Sequence, residues 1–357
     1  MHRITGDLQL AAVDKSYRCG WTHKPKVSLS LARLARRQTI LHSNVYLMTS
    51  TQLAKKILVT GSNGLLGQKL TDLALADDGI ALVATSRGEN RHPIKDGYTY
   101  IDLDILESDR LRAVIAEHRP QTIINTAAMT NVDACEHDPD GCQKLNIDAV
   151  ATLIALCEEF GIHLIHLSTD FIFDGKDGPY AEHAEPNPLS RYGQSKLDAE
   201  YLIQGSRCKW AILRTILVYG VVADMSRSNI VLWAKGALEK GQPLKVVNDQ
   251  WRMPTLAEDL AQACVLAAIA EAEGVFHISG KDMFAIHELV AAVADFWRLD
   301  KSLIQQVSSA TLSQSAPRPA RTGFVLDKAH HVLGYTPHSF TDGLAIVDQQ
   351  LAQLARE

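Results

Sequence analysis

From Lys55 onward the apolar residues follow two alternating periods. Short β-branched or alternating runs bounded by turn residues read as strands: KKILVTG (55–61), ALVATS (81–86), YTYIDLDI (98–105), TIINTAA (122–128) and HLIHLSTD (163–170). Between them, apolar positions recur at helical spacing in LLGQKLTDLALA (65–76), LRAVIAEH (111–118) and CQKLNIDAVATLIALCEEFG (142–161). A further helix opens at YGQSKLDAEYLI (192–203). Strand and helix alternating at this interval predict an α/β fold, a doubly wound parallel sheet covered on both faces. Residues 1–47 show no such period.

Composition narrows the class. A chain of 357 residues with 46% hydrophobic and 22% charged positions buries a large core unaided. Disorder, collagen and small disulfide scaffolds are excluded for the whole. Length alone suggests two domains at roughly 150 residues each. The net charge of −5 argues against a nucleic-acid partner. That charge is uneven: Arg3, Lys15, Arg18, Lys24, Lys26, Arg33, Arg36 and Arg37 face only Asp7 and Asp14 before Met48. A basic leader therefore precedes an acidic body. The leader, 1–47, is read as untranslated, with the start at Met48; a disordered tail and an Arg- and Ser-rich presequence are the alternatives. No apolar stretch reaches the ~18 residues of a membrane span, so a cytoplasmic chain without a membrane partner is expected. The cysteines (Cys19, Cys135, Cys142, Cys157, Cys208, Cys264) form no C-x-x-C pair, and no metal site is expected.

The first strand runs into Thr60-Gly61-Ser62-Asn63-Gly64-Leu65-Leu66-Gly67, which then opens a helix. Gly61 can make the sharp turn, Gly64 lets a pyrophosphate approach the backbone, and Gly67 lets the helix pack on the sheet. The helix N-terminus offers free N–H groups to the phosphates. Gly61, Asn63, Gly64, Leu65, Leu66 and Gly67 are thus the expected cofactor turn of a Rossmann-type sheet. The second strand ends Thr85-Ser86-Arg87 without an acid. Ser86 and Arg87 therefore favour the 2′-phosphate of NADP(H), with NAD(H) the alternative. Asp104 and Ile105, at the end of the third strand, are placed to meet the adenine.

A second constellation follows the strand ending Ser168-Thr169-Asp170. Tyr192 and Lys196 lie four apart and share one helical face. A phenol with a reference pKa near ~10 needs a neighbouring positive charge to ionise at neutral pH. Tyr192 beside Lys196 can deliver a proton to a carbonyl that accepts hydride. Thr169 can hydrogen-bond the same oxygen as charge develops. Y-x-x-x-K alone is common on helices; its weight here comes from its place after the glycine turn and that strand.

These motifs, with INTAAMTNVDACE (124–136), LNIDAV (145–150), LSTDFIFDG (167–175), NPLSRYGQSKLDAE (187–200) and RTILVYG (214–220), resemble the extended short-chain dehydrogenase/reductases, and among them dTDP-4-dehydrorhamnose reductase and its relatives. The resemblance runs from about Lys55 to the C-terminus. It implies that Tyr192 and Lys196 relay the proton, that Thr169 polarises the carbonyl with Asp170 beside it, and that Asn146 supports the relay through water. It places Ala127 and Ala128 under the cofactor, and Thr130, Val132 and Asp133 between cofactor and sugar. NDQWRMPT (248–255) and APRPARTGF (316–324) resemble the segments that cross between lobes and close over a nucleotide-sugar; Arg252, Arg318 and Arg321 could meet its diphosphate. The implied architecture is a Rossmann domain over 54–220, completed by about 246–274, with a smaller C-terminal α/β substrate lobe from 221–245 and 275–339 and a C-terminal helix over 340–357.

The implied activity is NADPH-dependent reduction of a nucleotide-linked 4-keto-6-deoxy sugar, in a chain that could form a homodimer. Two positions depart from the rhamnose enzymes. Leu217 stands where they carry an aromatic residue, and Arg252 where they carry a small one. Both bear on the sugar and not on the hydride chemistry. An epimerase-reductase is one rival reading. A non-catalytic NADP-binding subunit, like the regulatory subunit of methionine adenosyltransferase, is another. His163 and His166 lie three apart on a strand, so they point to opposite faces and make a poor metal pair. Trp233 and Trp297 read as packing residues. No G-x-S-x-G occurs, which disfavours a serine hydrolase.

Overall fold

The structure, a computed structural model, describes residues 54–225, 228–312 and 315–356. The expectations for the leader fall outside the described residues. Seven strands form one sheet: β1 (Lys55–Thr60), β2 (Ile80–Ser86), β3 (Thr99–Asp102), β4 (Thr122–Asn125), β5 (His163–Thr169), β6 (Trp210–Thr215) and β7 (Gly274–Ile278). Their order is β7-β6-β5-β4-β1-β2-β3, and every neighbouring pair is parallel. The chain leaves β1 on one side through β2 and β3, then returns on the other through β4. That reversal opens a crevice beyond the C-terminal ends of β1 and β4.

The longer helices are α1 (Leu65–Ala76), α2 (Ser108–His118), α3 (Ala149–Phe160), α4 (Arg191–Gln204), α5 (Ile230–Glu239), α6 (Ala257–Ile269), α7 (Ile286–Trp297) and α8 (Phe340–Leu354). Successive strand residues feed opposite cores, as the pleat requires. Ile57 and Val59 pack with Leu70 of α1 and Ala261 and Ala263 of α6. Leu58 between them packs with Leu111, Leu153 and Ala199 of α2, α3 and α4. The doubly wound Rossmann-type sheet expected from the alternation is the one observed.

The chain departs from the predicted elements in three places. The third strand ends at Asp102, and Leu103, Asp104 and Ile105 turn off it. The fourth ends at Asn125, short of Ala127 and Ala128. The long helix predicted over 142–161 is broken: Pro139–Gln143 is helical, Lys144–Asp148 is a π-turn, and α3 follows. One extra residue within an otherwise helical run is too small a change for the apolar pattern to mark. Its effect is to turn the Asn146 side chain onto the Met129 backbone.

The second lobe has its own core. Val231 and Leu238 of α5, Leu289 and Val293 of α7 and Leu344 and Val347 of α8 pack with Leu244 and Val246. Leu244–Val247 pairs in parallel with Ile304–Val307. These contacts correct the expected boundaries. Val275–Ile278 belongs to β7, and Ala329, Leu333 and Tyr335 join the core beside α6. Leu244–Val247 belongs to the lobe, and α8 is part of that lobe's core. Lys69 of α1 reaches Glu258 of α6 at 3.1 Å and Gln350 of α8 at 3.3 Å, which ties the two parts together. Among the described residues, no helix is long and apolar enough to cross a membrane.

Candidate active site

A cleft of about 750 Å³ opens over the C-terminal ends of β1, β4 and β5 and continues to the second lobe. One end is the glycine turn. Gly61 has φ +72°, and a Cβ there would lie 2.8 Å from Thr126 Oγ1. Gly67 sits against its own turn: a Cβ would meet Ser62 Cα at 2.4 Å. Larger residues at either position would push helix from strand. Gly64 caps α1 with no side-chain bond, and the first turn of α1 carries no acid. The end of the helix is therefore open and positive, which suits a diphosphate. Gly61, Asn63, Gly64, Leu65, Leu66, Ser86, Arg87, Asp104, Ile105, Ala127 and Ala128 all line the cleft. Gly67 lies behind it as the packing contact.

Asn63 does more than line the wall. Its Nδ2 donates to the Glu89 carbonyl at 2.9 Å and lies 3.1 Å from the Tyr100 hydroxyl, while its Oδ1 accepts from Arg91 N at 2.8 Å. The turn after β1 is thereby pinned to the loop after β2. Arg87 lies 3.8 Å from Asp104, with most of its side chain in solvent. Arg91 lines the same end.

The other end holds the proton-transfer candidates. Ser190 caps α4 by accepting from Gly193 N at 3.2 Å, which places Tyr192 in the first turn and Lys196 in the next. Arg214 on β6 grips Glu200 of α4 at 2.7 Å, both fully buried, and so anchors that helix to the sheet. Tyr192 and Lys196 line the cleft and are themselves buried. Burial pushes the Tyr192 phenol above its usual range, against a smaller lowering by the Thr169 hydroxyl. Burial lowers Lys196 to about 8. Its Nζ lies 3.0 Å from His166 Nε2. Thr169 lines the cleft beside them; its Oγ1 donates to Asp170 Oδ1 at 3.2 Å and accepts from Phe171 N at 3.2 Å.

Across this architecture, residues 55–353 match the RmlD substrate binding domain family. The chain belongs to that family. It is 31% identical over 292 residues to a Haloferax volcanii protein described as a probable low-salt glycan biosynthesis reductase, Agl14, covering 81% of this chain and 96% of that one. It is also 31% identical over 271 residues to methionine adenosyltransferase 2 subunit beta of Danio rerio, covering 74% of this chain and 81% of that one. Among solved structures, a dTDP-4-dehydrorhamnose reductase from Clostridium acetobutylicum superposes with a TM-score of 0.73 at 26% identity, covering 83% and 99% of the two chains.

In this RmlD family member the remaining candidates divide. Thr130, Val132, Asp170, Arg252 and Arg318 line the cleft. Asp170 and Arg252 are engaged with the protein. Their charges lie 3.6 Å apart, and both side chains are nearly inaccessible. Asp170 also accepts from Thr322. Arg252 donates to the carbonyls of Trp251 at 2.7 Å and Pro319 at 2.7 Å. Burial pushes Asp170 up and Arg252 down, with each charge opposing the other's shift. The structure thus makes them a clamp between β5 and the 316–324 loop. Asp133, off the cleft wall, pairs with Arg318, which holds its carboxyl below the usual range.

Two further candidates do not line the cleft. Arg321 is exposed and away from the cleft; its N–H donates to the Gly175 carbonyl at 3.1 Å. Asn146 is behind the cleft, and its carboxamide is taken up by Met129 N, Met129 O and Ser195 Oγ at 2.8, 3.1 and 3.0 Å. It steadies the relay helix by direct contact. His166 and Arg91 are the residues sequence reasoning missed. Arg91 lies five residues past the second strand, beyond the strand end where a 2′-phosphate partner is expected. His166 carries no mark in the sequence beyond being a poor metal partner for His163, because a single strand position gives no sign of what it faces. Trp233, read as packing, is 42% exposed and lines a second hollow of about 250 Å³. Phe171, Leu217, Arg252 and Arg318 line both spaces, so the two are neighbours.

Proposed function

We propose that this chain is an NADPH-dependent reductase of a nucleotide-linked 4-keto-6-deoxy sugar. The observation that carries the reading is the joint placement of Tyr192 and Lys196 in the cleft whose far end is the open glycine turn. A bound NADPH would supply hydride; everything else falls to the chain. Gly61, Gly64 and the N-terminus of α1 would hold the diphosphate, and Ser86, Arg87 and Arg91 the 2′-phosphate. Ala127 and Ala128 would leave room for the nicotinamide side, and Lys196 would meet its ribose. The sugar carbonyl would sit between Thr169 and Tyr192. Tyr192 is protonated at neutral pH, because burial raises its pKa. It can therefore act as the acid and give its proton to the oxygen that gains charge. Lys196, as ammonium, would stabilise the phenolate left behind. Thr169 would turn its hydroxyl from Asp170 to that oxygen. The hollow beside Phe171, Leu217 and Trp233 would take the nucleotide, with Arg318 at the diphosphate.

The test is NADPH oxidation with a panel of nucleotide-linked 4-keto sugars, with wild type and Tyr192→Phe side by side. Wild type should turn over, and the variant should lose about 10²–10⁴-fold in kcat while binding NADPH as before. Turnover unaffected by Tyr192→Phe would sink the mechanism. The similarity to methionine adenosyltransferase 2 subunit beta supports a second reading, a non-catalytic NADP-binding subunit. Tight NADPH binding with no turnover by either protein would favour it.

A further inference from the structure

Behind the cleft, a line of buried polar groups runs from Lys196 into the sheet. Lys196 Nζ lies 3.0 Å from His166 Nε2. His166 Nδ1 lies 3.1 Å from Asn125 Nδ2. Asn125 Oδ1 accepts from Thr60 Oγ1 at 2.6 Å. Thr60 Oγ1 also takes the Ala127 N–H at 3.4 Å. Lys196, His166, Asn125 and Thr60 are 3%, 1%, 1% and 0% exposed, so water cannot readily replace a missing partner.

We propose that His166 is a positioning residue for Lys196: backed by Asn125 and Thr60, its neutral imidazole holds the lysine nitrogen and exchanges tautomer as that nitrogen gains or loses a proton. The inference rests on the reading of Lys196 as the partner of Tyr192.

The donor count requires two arrangements. Burial, with Lys196 beside it, keeps His166 neutral, so the ring carries one N–H. An ammonium has only donors. Charged Lys196 therefore makes Nε2 the acceptor and puts the proton on Nδ1. Nδ1–H then needs the Asn125 carbonyl, and the Asn125 amide nitrogen turns toward Thr60. A neutral amine can accept. Nε2–H then donates to Lys196, Nδ1 accepts from Asn125 Nδ2, and Thr60 donates to Asn125 Oδ1. The second arrangement has the amide orientation seen here. The first follows from a half-turn of that amide with the heavy atoms in place. The Thr60 hydroxyl, which both donates and accepts, ends the line in either case. Both charge states of Lys196 thus leave the two His166 ring nitrogens and the Asn125 carboxamide paired along the line.

The other groups that face Lys196 do not offer this. Glu200, on its own helix, is held by Arg214 at 2.7 Å. Cys135, on the short helix Val132–His137, and Cys142, on Pro139–Gln143, approach from outside α4, and burial pushes Cys135 well up. Tyr192 lies one turn earlier and is raised by burial.

The experiment follows the His166 ring nitrogens of the full chain by ¹⁵N NMR from about pH 6 to about pH 10, with the Lys196 Cε resonance reporting its amine. The expected result is a ring that stays neutral and moves its proton from Nδ1 to Nε2 in step with Lys196. A fixed tautomer across the range, or an imidazolium, overturns the proposal. His166→Leu should lower the Lys196 midpoint by about one pH unit. His166→Gln, whose amide can present either end, should restore most of it. An unchanged midpoint in His166→Leu also overturns the proposal; if that variant does not fold, the wild-type ring measurement decides. None of these readouts uses turnover. A chain that shows the exchange but reduces no sugar loses the reductase reading alone. A chain that reduces sugar with a fixed tautomer loses this inference alone.

Discussion

Arg318 grips both carboxylate oxygens of Asp133, at 2.6 and 3.4 Å, across a sequence separation of 185 residues. Asp133 stands at the start of a short helix after β4, and Arg318 in the loop that reaches over from the second lobe. The pair is partly solvated, so it adds less than about 1 kcal/mol to stability. On the proposed function its consequence falls on substrate. Asp133→Ala frees that loop and leaves Arg318 unpaired. The expected outcome is a sugar KM raised about tenfold, with the NADPH KM unchanged, and Tm within a few degrees of wild type. Steady-state kinetics with both substrates varied, together with a thermal melt, checks it. A matching rise in the NADPH KM would show that the pair does not act on the sugar side.

The clamp behind it behaves differently. Removing Arg252 leaves Asp170 as a buried charge with no cation. Arg252→Met should cost about 3–5 kcal/mol of stability. Arg252→Lys should rescue little, because an ammonium cannot span Asp170 and the carbonyls of Trp251 and Pro319 together. Urea unfolding measures both. A loss below about 1 kcal/mol would mean that Asp170 has found water or a proton.

Lys196 sets an alkaline limit. Burial lowers it to about 8, and in the proposed reaction its charged form is the one that would stabilise phenolate. Reduction should therefore fall as pH rises through about 8, and kcat against pH with NADPH and sugar saturating should show the limb. Stability has the opposite sign. The folded-state pKa lies below the ordinary 10.5, so between about 8 and 10.5 the unfolded chain binds the extra proton. Raising pH through that window favours the folded state. Lys196→Met should abolish both effects.

Cofactor preference offers a further check. Arg87 and Arg91 stand at the end of the cleft beyond β2. Arg87→Ala should lower the NADPH-over-NADH ratio of kcat/KM roughly tenfold. The double variant with Arg91→Ala should remove the preference. A ratio unchanged in both would reassign the 2′-phosphate site.

Much of the frame was legible in the sequence, for particular reasons. The glycine turn could be read because Gly61 and Gly67 have no substitute where φ is positive or a Cβ would strike backbone. Tyr192 and Lys196 could be read because four residues is one helical turn. The π-turn at Lys144–Asp148 was not legible, because a single inserted residue between two short helical runs is too small a change of phase to read from so few apolar positions. Arg252 and Arg321 resemble one another as sequence. One lies buried on Asp170 and the other lies at the surface. That difference is decided by a loop that arrives from far along the chain. His166 was silent for the same reason: its meaning depends on a helix opening 25 positions later.

Asn63 joins the turn after β1 to the loop after β2 through one carboxamide. The proposed diphosphate seat and the proposed sensor for the adenosine end are therefore one rigid part. Efforts to retune this chain toward NADH by grafting a foreign loop after β2 would break that joint and loosen a seat the graft never touches. A successful graft would have to bring carbonyl and amide partners for Asn63 with it, so the exchangeable unit is the loop together with its fastening.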